Sequence, residues 1–319
     1  MTQTQEASVG TAKVLRKLEA SLAAGQFYEA HEMFKTVYYR HRSRGHAAAS
    51  YELAQEGARL QLQRGQLNCG VELCLLLVEA YVADKVPASE EAVARVASLV
   101  DAFPRGRPGE AADPPVAECS RLVGAAVKWL RSSGDDGRHE AALEGRLAAC
   151  VTESLGWQGL GFALPHYARA CDAGAAAAAV AAAVAHGRPD EEDLFLTRAA
   201  LTMAAGRPAG AASGRGAPAQ LAAARELIAG YGGAAGHAPP DTPLLHFLSF
   251  FMEALARRSA DLAALLLQRY RPALDRDPAL WTLVARCQAV HLPAAAGGGL
   301  GGMGGLLGEM MGMLAQPTG

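Results

Sequence analysis

The chain has 319 residues, half of them hydrophobic, with 6% aromatic and 19% charged side chains and a formal net charge of −2. That length suits about two ordinary domains or one elongated one, and the near-neutral balance lacks the basic excess with which nucleic-acid binders neutralise phosphate. A hydrophobic half that is rich in Ala and poor in aromatics suits close helix packing and argues against a β-rich fold.

From the N-terminus, Met1 to Gly10 is polar, has no apolar signal core and is expected to be disordered. Turn signals then fall at Gly25, Gly45 and Gly65, and the runs between them have helical periodicity. In the second run Phe27, Ala30, Phe34 and Val37 form one apolar stripe. Helices are predicted near 11–23, 26–42, 46–63 and 66–84, a helix-pair rhythm like that of a solenoid. Ser89 with Glu90 and Glu91 caps a helix near 89–102, and Asp113 with Pro114 opens one near 114–132. Further helices are predicted near 138–154, 158–171 and 174–186, the last an alanine tract. Asp190 is expected to cap 190–205. A helix near 217–230 follows, and the Gly-rich stretch Gly230 to Pro240 leaves room for a small hairpin. Asp241 is expected to open 242–257, followed by 260–270. The last helix, near 278–291, starts at Asp277-Pro278, where proline fits the first turn. Pro104 to Pro115, Gly206 to Pro218 and the tail from Pro293 look less ordered. The expected fold is all-α, a right-handed, TPR-like α-solenoid of about seven stacked helix pairs over 11–292, with 293–319 a flexible Gly/Met-rich tail.

Catalytic signatures are missing. There is no P-loop, G-x-S-x-G elbow or H-E-x-x-H helix. A G-x-G-x-x-G match at Gly299, Gly301 and Gly304 has no strand before it, so a dinucleotide reading fails. The acidic run Asp190 to Asp193 suits the positive end of a helix, and the histidines are scattered. The six cysteines show no C-x-x-C pair, and most sit in apolar runs as buried reduced thiols. No apolar span of membrane length occurs. The reading is a cytosolic protein that is not an enzyme and holds no cofactor or metal. In the tail, Leu300, Met303, Leu306, Leu307, Met310, Met311 and Leu314 recur at three- and four-residue spacing. They suit either an adaptable surface for a hydrophobic segment or a terminus folded back on the last helices.

The run Ala24-Gly25-Gln26-Phe27-Tyr28-Glu29-Ala30-His31-Glu32-Met33-Phe34-Lys35-Thr36, with Tyr39-Arg40, resembles the opening of the Golgi-to-ER traffic protein 4 family. These proteins are the transmembrane-domain recognition subunit of the guided-entry pathway for tail-anchored proteins. The likeness continues through Glu52-Leu53, Gly57-Ala58, Gly65-Gln66, Leu75 to Glu79 and Ala126-Val127-Lys128-Trp129. It extends to Pro243-Leu244-Leu245-His246-Phe247, Tyr270-Arg271-Pro272, Arg276-Asp277-Pro278 and Gly305-Leu306-Leu307-Gly308. The alanine tract, Gly206 to Pro218 and Pro104 to Pro115 depart from the family pattern. The resemblance implies a non-catalytic adaptor. Its N-terminal half, about 11–154, faces the targeting ATPase, and its C-terminal half, about 155–292, faces a ubiquitin-like-domain partner. A tetratricopeptide co-chaperone and tail-anchored clients join indirectly. The alternative is a chaperone component that binds hydrophobic clients through the Met-rich tail.

Charge patterning fits that division. Residues 1–64 carry +3, 65–193 carry −8 and 194–319 carry +3. Lys13, Arg16, Lys17, Arg40, Arg42 and Arg44 suit an acidic partner surface, with Glu72, Glu79 and Asp84 as an opposite-sign contact beside them. Toward the other end Leu244, Phe247, Leu248 and Phe251 form an i, i+3, i+4, i+7 stripe. Joined by Tyr270 and Trp281, it suits a groove for a partner helix, or core packing.

Overall fold

A computed structural model describes residues 14–106, 115–207 and 216–293. Among these the regular structure is helical, with no strand. The order is α1 (residues 14–23), α2 (Phe27–Ser43), α3 (Ala47–Gln63), α4 (Leu67–Ala83), α5 (Glu90–Asp101), α6 (Val116–Ser132) and α7 (Arg138–Leu155). Then come α8 (Leu160–Ala170), α9 (Ala173–Val184), α10 (Glu192–Ala205), α11 (Gly216–Ala235), α12 (Pro243–Ala256), α13 (Ala260–Arg269), α14 (Arg271–Leu274) and α15 (Pro278–His291).

The first turns explain the spacing of twenty. Gly25, Gly45 and Gly65 have φ of 78°, 71° and 73°, the left-handed conformation that ends a helix most easily at glycine. Each turn reverses the chain, so α2, α3 and α4 stack as successive antiparallel neighbours, with α2 and α4 parallel on one side. Gly57 sets how closely α2 and α3 approach: a Cβ there would lie 2.7 Å from the Phe34 ring and 3.0 Å from Leu73. The core then runs continuously down the chain as an α-solenoid. Tyr51, Tyr81 and Trp129 form an aromatic row through α3, α4 and α6, with ring centroids 4.9 and 5.0 Å apart. Trp129 Nε1 donates to the Val86 carbonyl at 2.9 Å, so the Lys128-Trp129 pair splits between solvent and core.

Caps hold where a side chain accepts from the first turn. Ser89 accepts from Ala92 N and Asp277 from Ala279 N, as expected of such N-caps. Elsewhere the structure corrects the expectations. Asp190 sits inside a 3-10 turn, Pro189–Glu191, and pairs with Arg188, while α10 starts behind Glu191 with no side-chain cap. Thr242, not Asp241, caps α12 by accepting from Leu245 N. The segment taken for 158–171 begins as a 3-10 turn, Gly156–Gly159, and 260–270 ends at Arg269 before the short α14.

The room for a hairpin at 230–240 is filled by helix. α11 continues through Gly230, Gly232 and Gly233 to Ala235, because Tyr231 is fully buried and its hydroxyl donates to Glu192 at 2.9 Å. Gly232 lets the returning chain pass close: a Cβ there would stand 3.4 Å from the His237 carbonyl. Met1 to Gly10, the Asp113-Pro114 cap, the Gly299 to Gly304 motif and the Met-rich tail lie outside the described residues.

Candidate interaction surfaces

On α2 the outward positions Tyr28, Glu32 and Tyr39 recur at helical spacing, with Lys35 half-buried between them, and on α4 so do Asn68, Glu72, Glu79 and Val82. The inward positions of both helices are fixed by the core, which holds Ala30, Phe34, Val37, Leu73, Cys74 and Leu77. Three contacts set α2 and α4 in parallel register. His31 meets Glu72 at 2.9 Å, the Tyr38 hydroxyl donates to the Leu76 carbonyl at 3.0 Å, and Arg42 Nη2 donates to Asp84 at 2.8 Å. The joint face leaves Tyr39 53% and Val82 51% exposed, with Leu75 and Leu76 partly open between the helices.

The structure sorts the charged side chains of this region into two groups. Glu72 is held by Lys35 at 2.7 Å and by His31; the Lys35 ammonium is the main reason its carboxyl lies below the usual range, and Lys35 is raised in turn. Asp84 accepts both Arg42 nitrogens and the Tyr51 hydroxyl, and the Arg42 guanidinium chiefly holds it low. These acidic groups and Arg42 therefore tie α2, α3 and α4 together. Arg16, Lys17, Arg40, Arg44 and Glu79 are exposed and make no ion pair among the described residues. Lys13 lies outside the described residues. Spacing alone pointed to all of these; only the side-chain pairing separates the internal ties from the free charges.

The opposite face of the same half is different. Arg95 donates to Gln55, Gln55 to Ser98, and Asp101 pairs with Arg146. Arg105 meets Glu153 at 2.9 Å, so α3, α5 and α7 carry a polar lacing and none of the exposed large apolar side chains.

In the C-terminal half the proposed apolar stripe turns inward. Leu244, Phe247 and Phe251 are fully buried and Leu248 nearly so. Phe247 stacks on Phe251 with ring centroids 5.1 Å apart, and Tyr270 leans on Phe247 at 6.0 Å. Tyr270 and Trp281 are half-buried, and Trp281 Nε1 donates to Asp275 at 3.0 Å. As direct partner contacts the four stripe residues are corrected: an i, i+3, i+4, i+7 pattern marks the face a helix buries, and here the core takes it. Large apolar side chains that remain outside in this half include Phe250 on α12, 53% exposed, and Leu265 on α13, 61% exposed, together with Trp157, Phe162 and Val290. Sequence reading missed Phe250 and Leu265 because each sits among polar neighbours on the outer face.

The C-terminal motif residues lock this half. Arg276 Nη1 donates to Asp193 at 2.6 Å and Nη2 to the Asp190 carbonyl at 2.9 Å. Arg198 meets Asp277 at 2.5 Å; burial pushes the Asp277 carboxyl up, and Arg198 with the Ala279 N–H overcomes it and holds it low.

Among the described residues no group of His, Cys, Asp or Glu is placed to hold a metal, and no helix is long and apolar enough to cross a membrane. A helical solenoid whose unburied apolar side chains lie on outward helix faces has the build of a scaffold protein. The sequence matches the family Golgi to ER traffic protein 4 over residues 44–314, and the chain belongs to that family. It is 27% identical to the Golgi to ER traffic protein 4 homolog of Bos taurus, over 96% of this chain and 89% of that one. The homolog of Homo sapiens is 26% identical, over 97% and 90%. The crystal structure of C. therm. Get4 superposes with a TM-score of 0.66, covering 97% of this chain and 96% of that one at 18% identity. The fold is therefore shared as well, and the family is one of traffic proteins.

Proposed function

We propose that the protein is a non-catalytic cytosolic adaptor in the targeting of tail-anchored membrane proteins to the ER. It holds the targeting ATPase on α1, α2 and α4 and a ubiquitin-like-domain partner on the outer face of the C-terminal half, so that clients pass from a co-chaperone to the ATPase. The observation that carries this reading is the α2–α4 face, where exposed Tyr39 and Val82 sit beside Arg40, Arg44 and Glu79, which make no ion pair among the described residues. An apolar centre with a charged rim is the anatomy of a protein interface, and the free guanidinium groups supply electrostatic steering.

Binding of the purified ATPase across a salt series tests it. Charge reversal at Arg40 and Arg44 is expected to slow association and flatten the salt dependence, and Tyr39→Ala to speed dissociation. ATPase binding indifferent to salt and to all three substitutions removes the site. For the second partner, Phe250→Asp and Leu265→Asp are expected to abolish capture of the ubiquitin-like protein while leaving ATPase binding intact.

A further inference from the structure

The connection from α11 to α12, residues 236–242, is fastened by a histidine whose two ring nitrogens are both engaged. His237 Nδ1 lies 3.2 Å from the Ala235 carbonyl, at the last residue of α11, and Nε2 lies 2.9 Å from Glu192 Oε1, at the first residue of α10. A carbonyl and a carboxylate only accept, so both nitrogens must donate, and an imidazole does that only when it carries two protons. A neutral ring has one N–H. Whichever contact it kept, its other nitrogen would set a lone pair against an oxygen. The fastening is therefore specific to the imidazolium, which also stands where a helix favours a cation, at the carbonyl end of α11.

Glu192 is well placed to receive it. Its side chain is 13% exposed, and the same Oε1 accepts from the hydroxyl of the fully buried Tyr231 at 2.9 Å. Burial pushes the Tyr231 hydroxyl up, and Glu192 adds to it. Tyr231 thus remains a donor through the neutral range, and only the histidine proton comes and goes. Most other charges on the elements around the connection are committed elsewhere. Asp193 of α10 is held by Arg276, Asp190 of the 3-10 turn by Arg188, Arg225 of α11 by Glu253, and Asp241 meets His246 of α12 at 2.6 Å. Glu191 makes no ion pair among the described residues, and its charge favours a cation nearby.

We propose that His237 is a proton-operated latch, which holds the α11–α12 connection against α10 as the imidazolium and lets it go as the neutral ring. Glu192 is the main reason the ring keeps its proton above the ordinary histidine range, and the Ala235 carbonyl adds to it. A histidine raised on folding contributes fully below its unfolded value and loses that contribution as pH rises through the folded one. The latch therefore opens on the alkaline side of the ordinary range. What it releases is the last turn of α11, where the Gly236 N–H donates to the Gly232 carbonyl at 3.0 Å. The connection runs straight into Thr242, the cap of α12, so the same proton bears on the helix that carries Phe250.

The full-length protein serves for the test. Proton NMR of the imidazole C2 hydrogens, with His237 assigned by its loss in His237→Gln, is expected to show His237 titrating above the ordinary value of about 6.5. Glu192→Gln is expected to bring it back to that value. Hydrogen exchange in the last turn of α11, corrected for the intrinsic effect of pH, should quicken about threefold, the scale of an exposed ion pair, as pH rises through the His237 titration. In His237→Gln the corrected rate should be the same at every pH. His237 titrating at or below the ordinary value, a raised value that survives Glu192→Gln, or wild-type exchange that ignores the titration overturns the latch. A quickening shared equally by α2 to α4 is general loosening of the chain and overturns it too.

Discussion

The two halves of the solenoid are held together by different means. In α1 to α4 the ties are local: α2, α3 and α4 of equal length, turns at glycines of positive φ, and ion pairs on the surface between parallel neighbours. In the C-terminal half α10 is gripped from far along the chain, by Arg276 on Asp193, by Asp277 on Arg198, by the Cys287 thiol on the Leu201 carbonyl, and by His291 on the Ala204 carbonyl at 2.8 Å. Repetition leaves whole helix faces free for partners, whereas irregular long-range pairing uses charged and aromatic groups internally. The same residue types therefore mean different things in the two halves.

Breaking the grip should give the largest effects. Arg276→Ala strands a carboxylate, Asp193, that is 3% exposed at its side chain, and losing one partner of a buried pair costs about 3–5 kcal/mol. Chemical denaturation is expected to show the C-terminal half unfolding first, with α1 to α4 still helical. Phe251→Ala, which empties the centre of the same half, should cost about 3–5 kcal/mol and sharpen the separation of the two transitions. In the N-terminal half Gly57→Ala forces a methyl against Phe34 and Leu73. Overpacking of that kind costs about 1–3 kcal/mol, to be read as a fall in the melting temperature.

The smallest effect is expected at the surface ties. Asp84→Asn removes a pair that water screens, worth less than about 1 kcal/mol. Acid titration tests the same groups. Glu72 and Asp84 are held below their unfolded acidities, so what they contribute is complete above the ordinary carboxylate range. It is lost as pH falls through their lowered folded values. Far-ultraviolet circular dichroism from neutral to strongly acid pH, compared between wild type and Asp84→Asn, is expected to show an acid-side loss that the variant shares only in part.

The N-terminal helices were legible in the sequence to within a residue or two, because Gly25, Gly45 and Gly65 have one conformational task and perform it. Ser89 and Asp277 could be read for a similar reason: a cap is a local event. The continuation of α11 through three glycines was not legible, since it depends on Tyr231 reaching Glu192 on another helix. The stripe at Leu244, Phe247, Leu248 and Phe251 was visible as a pattern that suited a partner groove or core packing, and the sequence could not choose between them. Periodicity reports which face is apolar and says nothing about whether the cover is this chain or another. Phe250 and Leu265, which are outside, carry no periodic signal at all.

The grip on α10 also bears on how the protein is made. Its partners, from Arg276 and Asp277 ahead of α15 to Cys287 and His291 on it, lie 79 to 87 residues downstream, so when α10 leaves the ribosome the groups that satisfy Asp193, Arg198 and the Leu201 and Ala204 carbonyls do not yet exist. The hairpins of α1 to α4 close on contacts formed as they emerge, and low contact order makes such closure fast. Chains arrested before Asp277 should therefore protect the first half from protease and leave α10 open to cleavage, and release of the last helix should close the second half in a single step.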